Sequence, residues 1–156
     1  MKVIAVDVHP QTDAPYVDEV WPVSRFHDLL AGADIVAVAA PYTRDTHHIF
    51  DDAAFAKMKP GSYLVAVSRG GIIDEEALLR ALEVGRLAGA GLDVAETEPL
   101  PELSALWEHP NVILTPHLAG SSPQKESRCV EILRENILRL ERGEELTNLV
   151  DKQLGY

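Results

Sequence analysis

The sequence predicts an α/β fold in which helices cover both faces of a doubly wound parallel sheet. Short apolar segments rich in Val, Ile and Ala recur along the chain, and segments with helical spacing of apolar residues separate them. The apolar segments are continuous rather than alternating, which is typical of strands buried on both faces. With 156 residues, 46% of them hydrophobic, the chain is the size of one domain with a sizeable core.

Five segments are predicted as strands, and a sixth is weaker. The five are residues 3–6, 35–40, 63–67, 88–94 and 112–114, and the weaker segment is 16–21. Parallel strands end at one edge of a sheet, and ligands of such sheets bind in the crevice at the carboxyl ends. Residues that follow the strands are therefore the candidates for function.

Capping residues predict where the helices begin. Ser24, Asp51 or Asp52, and Asp74 each precede a segment with helical spacing. The last and longest helix is predicted over residues 123–142 and ends at Gly143. Its apolar side chains form one stripe, made of Val130, Leu133, Ile137 and Leu140.

Composition excludes several classes of function. A formal net charge of −11 disfavours nucleic-acid and anionic-membrane partners, which need concentrated Lys and Arg. Cys129 is the one cysteine, so neither a disulfide framework nor a thiolate metal site is expected. His47 and His48 are adjacent, but no third ligand lies near them, so no metal is predicted and both are expected on the surface. No apolar run is long enough for a membrane span or a signal sequence, and a cytoplasmic protein is expected.

Ionisable residues follow three of the predicted strands. Arg69 follows segment 63–67, Glu96 and Glu98 follow segment 88–94, and His117 follows segment 112–114. Each has a simpler interpretation, because Arg69 could pair with Asp74 and a lone His often only faces water at the end of a strand. Their convergence on one edge favours a functional site.

Two longer segments identify a family resemblance. The stretch AVSRGGIIDEEALLRALEVGRLAGAGLDVAETEPLP, followed by NVILTPHLAG, resembles the C-terminal two-thirds of the NAD-binding domain of D-isomer-specific 2-hydroxyacid dehydrogenases. This family includes D-lactate and D-3-phosphoglycerate dehydrogenases and glyoxylate/hydroxypyruvate reductases. The resemblance implies a Rossmann-like sheet, NAD as cofactor, a small 2-oxo or 2-hydroxy acid as substrate, and a homodimer formed through this domain.

The resemblance also implies roles for three catalytic residues. Arg69 would bind the substrate carboxylate with two nitrogens, and His117 would be the general acid/base for the reacting oxygen. Glu98 would orient the His117 imidazole and favour its protonated form. Glu96 competes for this last role, but the position directly before Pro99 favours Glu98.

Further residues are implied in cofactor binding. Asp7 ends the first strand and would bond the adenosine ribose hydroxyls, although it could also start a turn with Pro10. No Arg stands at positions 8–12 to receive a 2′-phosphate, so NAD is favoured over NADP. The other implied contacts are Ala40, Pro41, Thr46, Val67, Ser68, Asp93 and Ala119.

The chain departs from the family in two ways. The glycine-rich G-x-G-x-x-G loop and the N-terminal substrate domain are both absent from the sequence, which is therefore expected to be truncated. Residues 1–142 would form a partial NAD-binding domain, incomplete on its N-terminal side. Residues 143–156 would be a tail that returns to the missing substrate domain, and it is expected to be poorly ordered.

The missing segment would include the central strand of the sheet. In the strand order 3-2-1-4-5-6, strand 1 lies between strands 2 and 4, so segments 3–6 and 35–40 would each present an open edge. The two could close on each other, a second chain could fill the space, or a gap could remain.

Two functions stay open at this point. One is a 2-hydroxyacid dehydrogenase, favoured because Arg69, Glu98 and His117 are all present. The alternative is a non-catalytic module that senses a dinucleotide or binds a partner, as in transcriptional corepressors that resemble these enzymes.

Overall fold

Six strands form two parallel sheets in the computed structural model, which describes residues 1–10, 15–153 and 155. β1 (Ile4–Asp7) pairs with β2 (Glu19–Pro22) in the smaller sheet. The larger sheet contains, in this spatial order, β3 (Ile35–Val38), β4 (Ser62–Ala66), β5 (Leu87–Leu92) and β6 (Val112–Leu114). All pairings are parallel, and all six predicted strands are confirmed, with ends shifted by up to three residues.

The two sheets are separated at the predicted position. Among the described residues β1 pairs only with β2, and β3 pairs only with β4 in its own sheet. A gap therefore separates the two open edges within this chain, and the filling of that gap by a second chain stays a prediction. Direct closure of β1 on β3 does not occur.

Two helices begin at the predicted caps. The carboxylate of Asp51 accepts the Ala54 N–H at 2.9 Å, at the start of α2 (Asp52–Lys57). The carboxylate of Asp74 accepts the Ala77 N–H at the same distance, at the start of α3 (Glu75–Glu83).

The prediction for α1 (Phe26–Gly32) is wrong at its start. Ser24 lies inside a 3₁₀ turn, Val23–Arg25, and makes no capping bond. The guanidinium of Arg25 stacks on the Trp21 ring at 3.4 Å from its centre and donates to Asp28 at 3.1 Å. These contacts extend the turn past the serine before the helix begins.

The core lies on one face of the larger sheet. Leu30, Phe55, Leu64, Ile72 and Leu78 are almost fully buried there, with the remaining apolar side chains of α2 and α3 around them. On β3 and β4, however, buried and exposed residues alternate. The prediction that these strands are buried on both faces is therefore wrong for this chain, because no helix described within residues 1–116 covers the second face.

The chain divides into two compact units, Met1–Pro116 and His117–Tyr156. The predicted boundary between residues 142 and 143 separates the NAD-binding domain from a tail by function. The two compact units do not test that boundary. In the second unit α4 (Lys125–Arg142) ends at Gly143, which has a left-handed backbone (φ 69°), as predicted. No described helix is both long and apolar enough to cross a membrane.

The first part of the tail is fixed to α4. The Thr147 N–H donates to Asn136 Oδ1 at 2.8 Å, and Asn136 Nδ2 donates back to the Thr147 carbonyl at 3.0 Å. Arg139 Nη1 also donates to the Glu145 carbonyl at 3.2 Å. The expectation of a poorly ordered tail stays a prediction, and these contacts are the ones found in its first part; residues 154 and 156 lie outside the described residues.

Candidate active site

The carboxyl ends of β3, β4 and β5 bring together most of the predicted site residues of the first unit. The strands pair in parallel with one another, so the segments that follow them lie side by side. Residues 39–46 follow β3, residues 67–71 follow β4, and residues 93–98 follow β5. This edge is the candidate active site.

Gly70 allows the segment after β4 to lie in direct contact with the segment after β5. A Cβ on Gly70 would lie 1.8 Å from the Ala95 carbonyl oxygen and 2.6 Å from the Glu96 nitrogen. Any side chain would therefore collide with the backbone of the neighbouring segment. The glycine after Arg69 lets the turn after β4 rest directly on the segment that carries Glu98.

The Arg69 side chain is exposed and makes no ion pair among the described residues. Its Nη1 donates to the Ser68 carbonyl at 2.7 Å. The simpler interpretation, a pair with Asp74, is not realised, because the Asp74 carboxylate caps α3. The rest of the guanidinium is available to a ligand, and a carboxylate is its best planar partner.

The two competing glutamates have different surroundings. Glu98 Oε1 accepts the Ala95 N–H at 3.1 Å, and the peptide bond to Pro99 is cis. Glu96 Oε1 lies 2.5 Å from His48 Nε2. The Glu96 carboxylate is thus engaged by His48, and the orienting role of Glu98 stays a prediction.

Sequence reasoning missed the residues around Glu96. His48, expected on the surface, is about one-third exposed and pairs with Glu96. The Glu96 N–H donates to Glu75 Oε1 at 2.6 Å. Burial raises the pKa of the Glu75 carboxyl above its ordinary range, the hydrogen bond from Glu96 opposes that rise, and the Glu96 charge adds to it. Two features of the sequence could have indicated these contacts: the acids that follow Asp74, and the adjacent histidines His47 and His48.

His117 opens the second unit with an uncommon backbone conformation. Its φ is 53°, in the left-handed region that residues other than glycine seldom adopt. Such conformations cluster at functional sites, since the surrounding structure must stabilise them. Its role as general acid/base stays a prediction.

The predicted cofactor contacts already carry hydrogen bonds. Asp7 Oδ1 accepts the His9 N–H at 2.7 Å, so the simpler turn interpretation is realised. Thr46 Oγ1 donates to the Pro41 carbonyl at 2.8 Å. The buried Asp93 accepts from Thr115 Oγ1 at 2.5 Å.

The remaining predicted contacts differ in exposure. Ala40, Pro41 and Val67 are exposed at the strand ends, and Ala119 lies in the second unit. The Ser68 hydroxyl is buried and has no hydrogen-bond partner among the described residues. Buried polar atoms of this kind are rare and call for an explanation, such as a bound group or water. The cofactor roles of all these residues stay predictions.

In the described part of the chain, no group of three or more His, Cys, Asp or Glu side chains is arranged to hold a metal ion. The adjacent histidines have other partners. His47 Nδ1 lies 3.1 Å from the Gly71 carbonyl and 3.2 Å from the Tyr42 hydroxyl. The two imidazoles stack with their centres 4.0 Å apart.

Residues 1–119 match the family described as "D-isomer specific 2-hydroxyacid dehydrogenase, NAD binding domain". A glyoxylate reductase from Thermofilum pendens is 36% identical over 99% of this chain and 45% of its own length. Human D-3-phosphoglycerate dehydrogenase is 37% identical over 98% of this chain and 28% of its own. The chain thus spans less than half the length of these relatives.

Solved structures agree with this similarity. An NADPH-dependent glyoxylate/hydroxypyruvate reductase from Sinorhizobium meliloti, in complex with NADP and sulfate, superimposes with a TM-score of 0.88 at 33% identity. The match covers the whole of this chain and 50% of that one. The α/β fold with a Rossmann-like parallel sheet is therefore confirmed.

Proposed function

We propose that the protein interconverts a 2-oxo acid and a (D)-2-hydroxy acid, because the chain belongs, through its NAD-binding domain, to the D-isomer specific 2-hydroxyacid dehydrogenase family. The substrate would be of the glyoxylate, hydroxypyruvate or phosphoglycerate type. The observation that carries this proposal is the edge formed after β4 and β5. There an exposed arginine, which makes no ion pair with any described residue, adjoins through Gly70 the segment that bears Glu98.

Each catalytic residue would perform one task. Arg69 would bind the substrate carboxylate through two parallel N–H donors and so fix the orientation of the reacting carbon. His117 would give a proton to the carbonyl oxygen in reduction, or take one from the hydroxyl in oxidation. Glu98 would favour the imidazolium form and hold the ring in place.

NAD, when bound, supplies the hydride acceptor or donor. The described residues fit such a group, because the exposed residues 39–41 and 67 lie at the same edge as Ser68, one of two serines whose buried hydroxyls have no partner among the described residues; the other, Ser62, lies within β4. Asp7 would receive the adenosine ribose with the oxygen that His9 does not use. A carboxylate there repels a 2′-phosphate, so NAD is preferred here even though the solved relative is NADPH-dependent.

The test is a turnover assay on the protein at its natural length, with NADH or NADPH and either glyoxylate or hydroxypyruvate. We expect His117→Asn to lower kcat by about a hundredfold or more, since the general acid is lost. Asn tolerates the left-handed backbone of position 117. Arg69→Lys should raise KM for the oxo acid, because an ammonium group cannot bind a carboxylate through two donors of one plane.

His27→Asn is the matched control, because His27 lies in α1 rather than at this edge. Turnover that survives His117→Asn would refute the mechanism. Dinucleotide binding without turnover by the wild type would favour the alternative, a module that senses a dinucleotide. Tighter binding of NADPH than of NADH would contradict the role of Asp7.

A homodimer formed through this domain and a cytoplasmic location also belong to the proposal. The single cysteine, Cys129, is a free thiol in α4, which suits a reducing compartment. A measurement of mass in solution tests the dimer.

A further inference from the structure

The peptide group between Ala95 and Glu96 is fixed at both ends. Its carbonyl oxygen lies against Gly70, where a Cβ would come within 1.8 Å. Its N–H donates to Glu75 Oε1 at 2.6 Å. Because Glu98 Oε1 accepts the Ala95 N–H, the position of the Glu98 carboxylate depends on how this short segment is held.

The Glu96 side chain adds a link to the segment after β3. Its Oε1 contacts His48 Nε2 at 2.5 Å, and the His48 backbone N–H donates to the Gly71 carbonyl at 2.9 Å. Gly71 directly follows Gly70. The side chain of Glu96 therefore connects the segments that follow three neighbouring strands.

A second acid lies beside Glu96. Glu75 and Glu96 are both acidic and in contact, and burial together with the Glu96 charge raises the pKa of Glu75. The contact with His48 Nε2 holds the Glu96 side chain in place beside this second acid. The pair is about one-third exposed, so its effect on global stability is small.

We propose that Glu96 is a positioning residue, which through His48 fixes residues 95–98 and so determines where the Glu98 carboxylate is presented. This inference rests on the proposed function, because it gives Glu98 its task. Glu96 itself does not touch the reacting atoms in this proposal.

Two variants of Glu96 and one control test the inference on the protein at its natural length. Glu96→Ala removes the contact with His48, whereas Glu96→Gln keeps a hydrogen-bonding oxygen. Glu102→Ala removes an exposed carboxylate from the same loop, where none of the described contacts involves it. The first readout is hydrogen exchange of the amides of residues 95 and 96.

We expect Glu96→Ala to speed this exchange by about tenfold, the effect of losing one hydrogen bond to a charged group. Glu96→Gln should restore most of the protection, and Glu102→Ala should change nothing. The second readout is the kinetics. For Glu96→Ala, kcat should fall by about tenfold to a hundredfold, as expected for a misplaced catalytic group. KM for the oxo acid should stay constant, because Arg69 is untouched.

The outcomes separate this inference from the proposed function. Unchanged exchange in Glu96→Ala overturns the inference, whatever the activity. Faster exchange with unchanged kcat overturns it too, provided that His117→Asn is inactive. A wild-type protein without turnover refutes the proposed function and the task of Glu98, while the exchange rates still decide whether Glu96 fixes the segment.

Discussion

Gly70→Ala tests the contact on which the candidate site is built. The new methyl carbon would lie 1.8 Å from the Ala95 carbonyl oxygen and 2.2 Å from the Ala95 carbonyl carbon. Ordinary carbon–oxygen contacts are about 3.3 Å or longer, so the two segments must separate by about 1.5 Å. The atoms that the methyl group would meet all belong to the backbone, which cannot rotate away as a side chain can. The cost should reach the upper end for overpacking, about 3 kcal/mol.

Thermal unfolding followed by circular dichroism measures this cost. A destabilisation of about 3 kcal/mol corresponds to a fall in Tm of about 6–12 °C for a chain of this size. Gly32→Ala is the control, because a Cβ at this helical glycine meets nothing within 4 Å and its φ is not positive. That variant should be stabilised by about 0.5–1 kcal/mol. A Gly70→Ala protein that melts with the wild type would refute the close approach of the two segments.

Two further predictions concern α3. Since the folded-state pKa of Glu75 is raised above its ordinary value of 4.5, its contribution to stability is complete below that value and is lost as the pH rises through the folded pKa. In Glu75→Gln the side-chain oxygen can still accept the Glu96 N–H. The Tm of this variant should therefore rise relative to that of the wild type between about pH 4 and about pH 7. A Tm difference between the two proteins that stays constant with pH would contradict this. Asp74→Ala removes the cap on Ala77 and should cost about 1 kcal/mol, whereas Asp45→Ala, at an exposed carboxylate, should cost almost nothing by the same denaturation assay.

Local features of the sequence were sufficient to predict most of the secondary structure. The caps at Asp51 and Asp74 are confirmed, because a capping carboxylate bonds a backbone N–H only three residues away. Ser24 has the same chemistry but is not a cap. The contacts of Arg25 with Trp21 and Asp28 extend a 3₁₀ turn through this serine, and part of that competition comes from another element, β2.

Burial could be predicted less well than pairing. Continuous apolar strands indicate a parallel sheet, and the sheet is parallel. Whether both faces are buried depends on which helices cover them, and this is not encoded in the strand itself. Ile35 and Tyr63 are more than half exposed for that reason.

In the candidate site, too, some features could be predicted from the sequence and others could not. Strand ends of a parallel sheet lie together whatever their loops do, so the proximity of the segments after β4 and β5 follows from topology alone. The pairing of Glu96 with His48 does not, because it depends on the conformation of two loops far apart in the sequence. The sequence therefore predicts which residues reach the edge, whereas the different contacts of Glu96 and Glu98 are visible only in the structure.

The two glycines after Arg69 show which signal in the sequence could have predicted more. A Cβ on Gly71 would meet the edge of the Tyr42 ring at 2.9 Å, and an exposed ring can move aside. A Cβ on Gly70 would meet backbone, which cannot. The first glycine is thus required by the approach of two loops, whereas the second is required only as long as Tyr42 keeps its position. Gly70 stands between β4 and the capped helix α3, and the backbone that lies against it belongs to the segment that carries Glu98.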